Sequence, residues 1–150
     1  MRRVLFLCTS NYYRSRFAGI LFNDLARRRQ LDWMAESRGI AGGQGANNAG
    51  PISIHAMKGL RARGIAVPDD TRQPLPLQET DLLQADLVIA LDEQEHRPLL
   101  RVVFPAWENK VEYWHVHDLH LSPAEEALPA LESEIRKLIE RLATAQKSKR

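Results

Sequence analysis

Cysteine is the scarcest reactive residue in this chain: there is one, Cys8, in 150 residues. A single thiol excludes an internal disulfide and any metal site built from several cysteines, and it suits a reducing compartment. Long apolar runs are missing as well, and no stretch approaches the roughly 20 residues that a bilayer-crossing helix needs. Met1-Arg2-Arg3 and the brief apolar run behind it are too short for a signal peptide, so a cytoplasmic protein is expected. The net charge of only +2 points neither to nucleic acid nor to a membrane surface. The basic clusters Arg27-Arg28-Arg29 and Lys147-Ser148-Lys149-Arg150 read as solvated ends. Repeats and low-complexity blocks are absent, and a chain of this length with 44% hydrophobic residues has material for one core, hence a single domain over 1–150.

What is present is concentrated near the amino terminus. Val4-Leu5-Phe6-Leu7 reads as a short buried strand, and Cys8 stands where it ends. Arg14 and Ser15 follow, and then Phe17, Ile20, Leu21 and Leu25 recur at helical period. The motif is strand, Cys-x5-Arg-Ser loop, helix. Residues 9–15 (Thr9, Ser10, Asn11, Tyr12, Tyr13, Arg14 and Ser15) thus form an expected phosphate-binding loop. Its backbone N–H groups and the helix N-terminus make a concave anion site. Arg14 supplies a planar fork for two phosphate oxygens. Cys8 in that electropositive field is expected to ionise below the free-thiol value of about 8.5 and to act as a nucleophile, with Ser15 donating to the thiolate.

Further along, a helix is expected over 15–29 and a second strand over 33–37. The glycine-rich segment 39–51 reads as a surface loop, with Pro51 placed to start a helix that ends near Gly64. Three prolines make 65–77 extended and irregular. A short helix over 79–84 leads into 86–92, the most continuous apolar strand. A helix over 94–102 is expected to be broken or kinked at Pro98, and 111–116 reads as a fourth strand. Ser122 to Glu125 resembles a capping box over a short turn, and Pro129 is expected to begin a long amphipathic helix carrying Leu131, Ile135, Leu138, Ile139 and Leu142. Strands alternating with helices imply a four-stranded parallel sheet with helices on both faces, an α/β domain. Ligands bind beyond the strands' carboxyl ends in such sheets, where Cys8, Ser37, Asp92 and Asp118 would collect.

The run Cys8-Thr9-Ser10-Asn11-Tyr12-Tyr13-Arg14-Ser15-Arg16 resembles the amino-terminal signature of the low-molecular-weight protein tyrosine phosphatases, Cys-x-Gly-Asn-x-Cys-Arg-Ser-Pro. The Cys, Asn, Arg and Ser match in place; Ser10, Tyr13 and Arg16 replace the Gly, second Cys and Pro. The resemblance implies that Ser37 supports the loop by bonding Asn11, although a plain strand-end turn residue fits Ser37 equally well. It implies that Asp118 is the general acid, in a position where Leu119 and His120 replace the family's Pro and aromatic; otherwise Asp118 is a turn or capping residue. A Glu that commonly braces the active-site Arg is Gly19 here, so the partner orienting Arg14 is not identified. The family's His-x-x-Arg run has a poor counterpart in Asp69-Asp70-Thr71-Arg72. Asp92 matches a family position but receives no chemistry.

These residues lead to an expected phosphomonoesterase, acting on a phosphorylated protein or a small aryl phosphate through a phospho-cysteine, with Cys8, Arg14 and Asp118 catalytic. No metal or other cofactor is called for, and the grouping of His115, His117, Asp118 and His120 fits no metal-ligand spacing better than it fits a strand end. Related arsenate reductases use several cysteines, which one thiol excludes. The aromatics available to wall the pocket are Tyr12 and Tyr13, since the glycine-rich loop has none. An alternative stays open: a phospho-ligand binding or regulatory module with little turnover, suggested by Gly19, Arg16 and the missing cleft aromatics. The sequence does not indicate an oligomeric state.

Overall fold

The computed structural model describes residues 1–41, 50–68 and 71–148. Its centre is β1 (Arg2–Cys8), which pairs in parallel with β2 (Trp33–Gly39) on one side and β3 (Leu87–Ala90) on the other. A short β4 (Glu112–Tyr113) joins β3, so the order is β2-β1-β3-β4 and every pairing is parallel. Alternation along β1 splits its side chains between two cores. Val4 and Phe6 pack with α1 (Arg14–Arg28), α2 (Ile54–Ala62) and α5 (Ala124–Ser148). Leu5 and Leu7 pack with α3 (Glu79–Gln84) and α4 (Glu93–Val103) on the opposite face. Both faces of the central strand are therefore buried, each large side chain contributing about 1.5–3 kcal/mol. The expected α/β sheet with helices on both faces is the fold observed. No helix among the described residues is long and apolar enough to cross a membrane.

Several boundaries differ from the sequence reading for physical reasons. Pro51 does not start α2; Ser53 caps it, accepting from the His55 N–H at 3.2 Å. Pro98 does not break α4, and Pro129 lies inside α5 instead of opening it. Each is exposed, as are Gln94 and Glu125 four residues earlier, so the carbonyls that lose a proline N–H face water. Helix α5 begins at Ala124, where the Pro123 carbonyl accepts from the Glu126 and Ala127 N–H groups. The fourth strand keeps only two ladder residues; beyond them Trp114 and Val116 still donate to Ala90 and Leu91, while Asp92 and His115 form an antiparallel bridge. The glycine-rich loop lies mostly outside the described residues, as do Asp69 and Asp70.

Candidate active site

Cys8 ends β1 and is 3% exposed. The chain then turns through Thr9–Tyr13 into α1, whose first residues are Arg14 and Ser15. The turn needs a left-handed residue, and Asn11 supplies it with φ 57°. No side chain caps α1 and no acidic residue occupies its first turn, which suits an anion at this helix end. Gly39 fits underneath: a Cβ there would stand 2.8 Å from the Ser10 carbonyl carbon and 2.9 Å from the Thr9 oxygen. Further bonds hold the loop, with Ile40 and Ala41 N–H groups donating to the Cys8 and Thr9 carbonyls, and Ser53 N–H to that of Tyr12.

A buried hydrogen-bond network fixes which way each polar group points. Arg72 can only donate, and it donates to Asn11 Oδ1 at 2.9 Å. The Asn11 amide nitrogen therefore faces the other way, donating to Ser15 Oγ at 2.8 Å and Ser37 Oγ at 2.9 Å. Ser15 Oγ lies 2.9 Å from Cys8 Sγ, and toward a Cys8 thiolate, which can only accept, it is the donor. Arg72 also donates to the Ser37 carbonyl and hydroxyl. Sequence reasoning assigns no role to Arg72; the structure places it at the base of this network. Its signal, a lone arginine within a proline-rich stretch, is too weak to find alone.

Arg14 is 2% exposed and donates from Nη1 to the Val116 carbonyl at 2.9 Å and from Nη2 to Glu95 Oε2 at 2.6 Å. Asp118 Oδ2 and Asp92 Oδ2 are farther, at 3.9 and 4.0 Å. The carboxylate within hydrogen-bond distance of Arg14 is thus Glu95, in the first turn of α4. Burial pushes the Glu95 carboxyl up, but contacts with His96, Arg14 and Thr9 outweigh it and hold the group well below the usual carboxylate range. His96 Nδ1 accepts from the Asp92 N–H, so its proton sits on Nε2, 3.1 Å from Glu95 Oε2 though poorly aligned with it. Asp92 itself is buried and meets His117 Nδ1 at 2.7 Å, with Oδ1 left without a partner among the described residues. The signal for Glu95 is Asp92-Glu93-Gln94-Glu95, a run of carboxylates opening a helix at the site edge.

Cys8, Thr9, Ser10, Tyr13, Arg14, Glu95 and Asp118 line one cavity of about 170 Å³. A larger hollow of about 610 Å³ opens at the strands' amino ends beside Arg2, Trp33 and Leu142, but it contains no nucleophile. Tyr13 is buried edge-on to His55, and its hydroxyl has no partner among the described residues. Burial, then the nearby Asp118, pushes that phenol up to about 12, so it stays neutral. Arg16, buried beneath the loop, donates to the Pro51 carbonyl at 2.9 Å and to Thr71 at 3.3 Å. Burial and Arg72 push it down to about 10, against the pull of Cys8, and it remains a cation at neutral pH. Among the described residues no three His, Cys, Asp or Glu side chains are arranged to hold a metal ion.

The family model for the low molecular weight phosphotyrosine protein phosphatases matches residues 3–148. A protein-arginine-phosphatase of Bacillus subtilis (strain 168) is 32% identical over 108 residues, which are 72% of this chain and 67% of that protein. The low molecular weight protein tyrosine phosphatase of T. tengcongensis has a similar crystal structure, with TM-score 0.78, 30% identity, and coverage of 95% of this chain and 100% of that one. A mutant of the YwlE arginine phosphatase, solved with a phosphorylated active-site serine, gives TM-score 0.74 and 25% identity, covering 99% of this chain and 97% of that one. The chain belongs to the low molecular weight phosphotyrosine protein phosphatase family and is a hydrolase of that cysteine phosphatase type.

Proposed function

We propose that this phosphatase removes phosphate from a phosphorylated protein side chain through a phospho-cysteine intermediate. The observation that carries the reading is Cys8 Sγ 2.9 Å from Ser15 Oγ, in a cavity it shares with Arg14 and Asp118. Cys8 thiolate attacks phosphorus while the bond to the leaving oxygen breaks, and Asp118 gives that oxygen its proton. Arg14 and the N–H groups of residues 9–15 hold the equatorial oxygens as charge spreads over them. In the second step Asp118 takes a proton from water, water attacks phosphorus, and the S–P bond breaks to restore the thiolate. Asp118 is suited to this exchange because its side chain is 40% exposed and reaches water as well as the cavity.

Two carboxylates in the cavity wall, Glu95 and Asp118, favour a second reading of the substrate. A phosphorylated arginine side chain has N–H donors beside its P–N bond, and the similar Bacillus subtilis protein is named for phosphatase action on protein arginine. Phosphotyrosine and phosphoarginine peptides assayed side by side would rank the two. The mechanism is tested by mixing enzyme with labelled substrate and quenching in acid. Wild type is expected to give a burst of product and label on the Cys8 peptide, and Cys8→Ser to lose turnover while still binding phosphate. Hydrolysis by Cys8→Ser at the wild-type rate would overturn the mechanism, and phosphate binding without wild-type turnover would make the chain a binding module.

A further inference from the structure

We propose that Glu95 is the positioning residue for Arg14, an inference that rests on the phosphatase reading above. Three carboxylates lie near the Arg14 guanidinium, and only Glu95 is within hydrogen-bond distance. Asp92 is engaged by His117. Asp118 has to be protonated when it serves as acid, so it is no permanent anchor. Glu95 is permanent: it stays ionised, sits in the first turn of α4 and receives the Thr9 hydroxyl on the same oxygen that holds Arg14. That oxygen therefore joins the two flanks of the loop, Thr9 after the nucleophile and Arg14 at the helix start.

No side chain from α1 can do this work at the position one turn and a residue past Arg14, because it is Gly19. A Cβ built there would meet nothing nearer than Ser37 at 3.8 Å. The brace instead comes from the opposite face of the sheet, through α4. Of the five N–H groups on a guanidinium, two are committed to Val116 and Glu95, leaving three for phosphate oxygens. The fork is thus fixed before substrate arrives, which favours the transition state over the ground state. The Glu95 charge also opposes a resting phosphate dianion, so removing it has opposite effects on ground-state binding that largely cancel.

The test compares wild type with Glu95→Ala and Glu95→Gln, reading kcat on an aryl phosphate and inhibition by vanadate and by inorganic phosphate. Vanadate adopts the five-coordinate geometry of the transferring group, whereas phosphate resembles the ground state. Glu95→Ala is expected to lose about 10- to 100-fold in kcat and in vanadate affinity, with phosphate affinity changed by less than about threefold. Glu95→Gln, which keeps the shape and one acceptor oxygen, is expected to lose less and serves if the alanine variant does not fold. Glu93→Gln, on the same turn but paired with Arg97, is expected to keep wild-type kcat. Values within twofold of wild type in Glu95→Ala, or equal losses of vanadate and phosphate, would overturn the inference. Absence of turnover in wild type, or turnover by Cys8→Ser, would instead overturn the phosphatase mechanism itself.

Discussion

Asn11 shows how much one side chain settles in this site. Its oxygen faces Arg72 and the Leu75 N–H, its nitrogen faces Ser15 and Ser37, and Ser15 Oγ in turn meets Cys8 Sγ. The left-handed backbone at Asn11 is foreseeable from residue type, because asparagine tolerates it and the loop is tight. Cys8, Arg14 and Ser15 are legible too, since they fall within one short motif. Glu95 and Arg72 are not, because each meets the loop across 61 or more positions of sequence. At Asp118 the prediction concerns leaving groups. Asp118→Asn is expected to lower kcat about 10²- to 10⁴-fold on an alkyl phosphate and far less on an activated aryl phosphate, whose leaving oxygen needs no proton. Equal losses on both in a leaving-group series would remove Asp118 from the acid role.

Among the elements, the helix period of α1 and the apolar run of β3 are readable because hydrophobic spacing marks them. The prolines mislead, since a sequence does not show that Pro98 and Pro129 stand on water-facing sides of helices already anchored by buried leucines. The end of β2 carries a sharper constraint. A Cβ at Gly39 would meet backbone atoms of the phosphate loop, which cannot swing aside as a flexible side chain would. Gly39→Ala is expected to push the loop off Ser10 and Thr9, costing at least about tenfold in phosphate affinity while the protein stays folded. Phosphate titration by calorimetry, with far-ultraviolet circular dichroism as the folding check, would measure it; unchanged affinity would mean that the loop adapts.

Across the whole molecule, carboxylates held low by hydrogen-bonding and cationic neighbours tie folding to acid pH. Glu95 is one; Glu132, where burial is outweighed by Arg63 and Arg136, is another. A depressed folded-state pKa means that the unfolded chain binds the proton more readily. The added stability is complete above the unfolded carboxylate pKa of about 4.3 and is lost as pH falls toward the folded values. The urea midpoint is expected to drop between about pH 5 and pH 3, with a shallower slope in Glu95→Gln. An identical slope in that variant would show that Glu95 does not contribute to the acid transition.

The same long reach of Arg14 has a consequence for biosynthesis. Its two acceptors lie 81 and 102 positions downstream, so when the ribosome has made the nucleophile and its loop, the clamp is still unassembled. On the proposed mechanism a nascent chain is expected to stay inactive until Val116 has emerged and β4 has docked, so that Cys8 and an anchored Arg14 come together only when the domain is nearly whole.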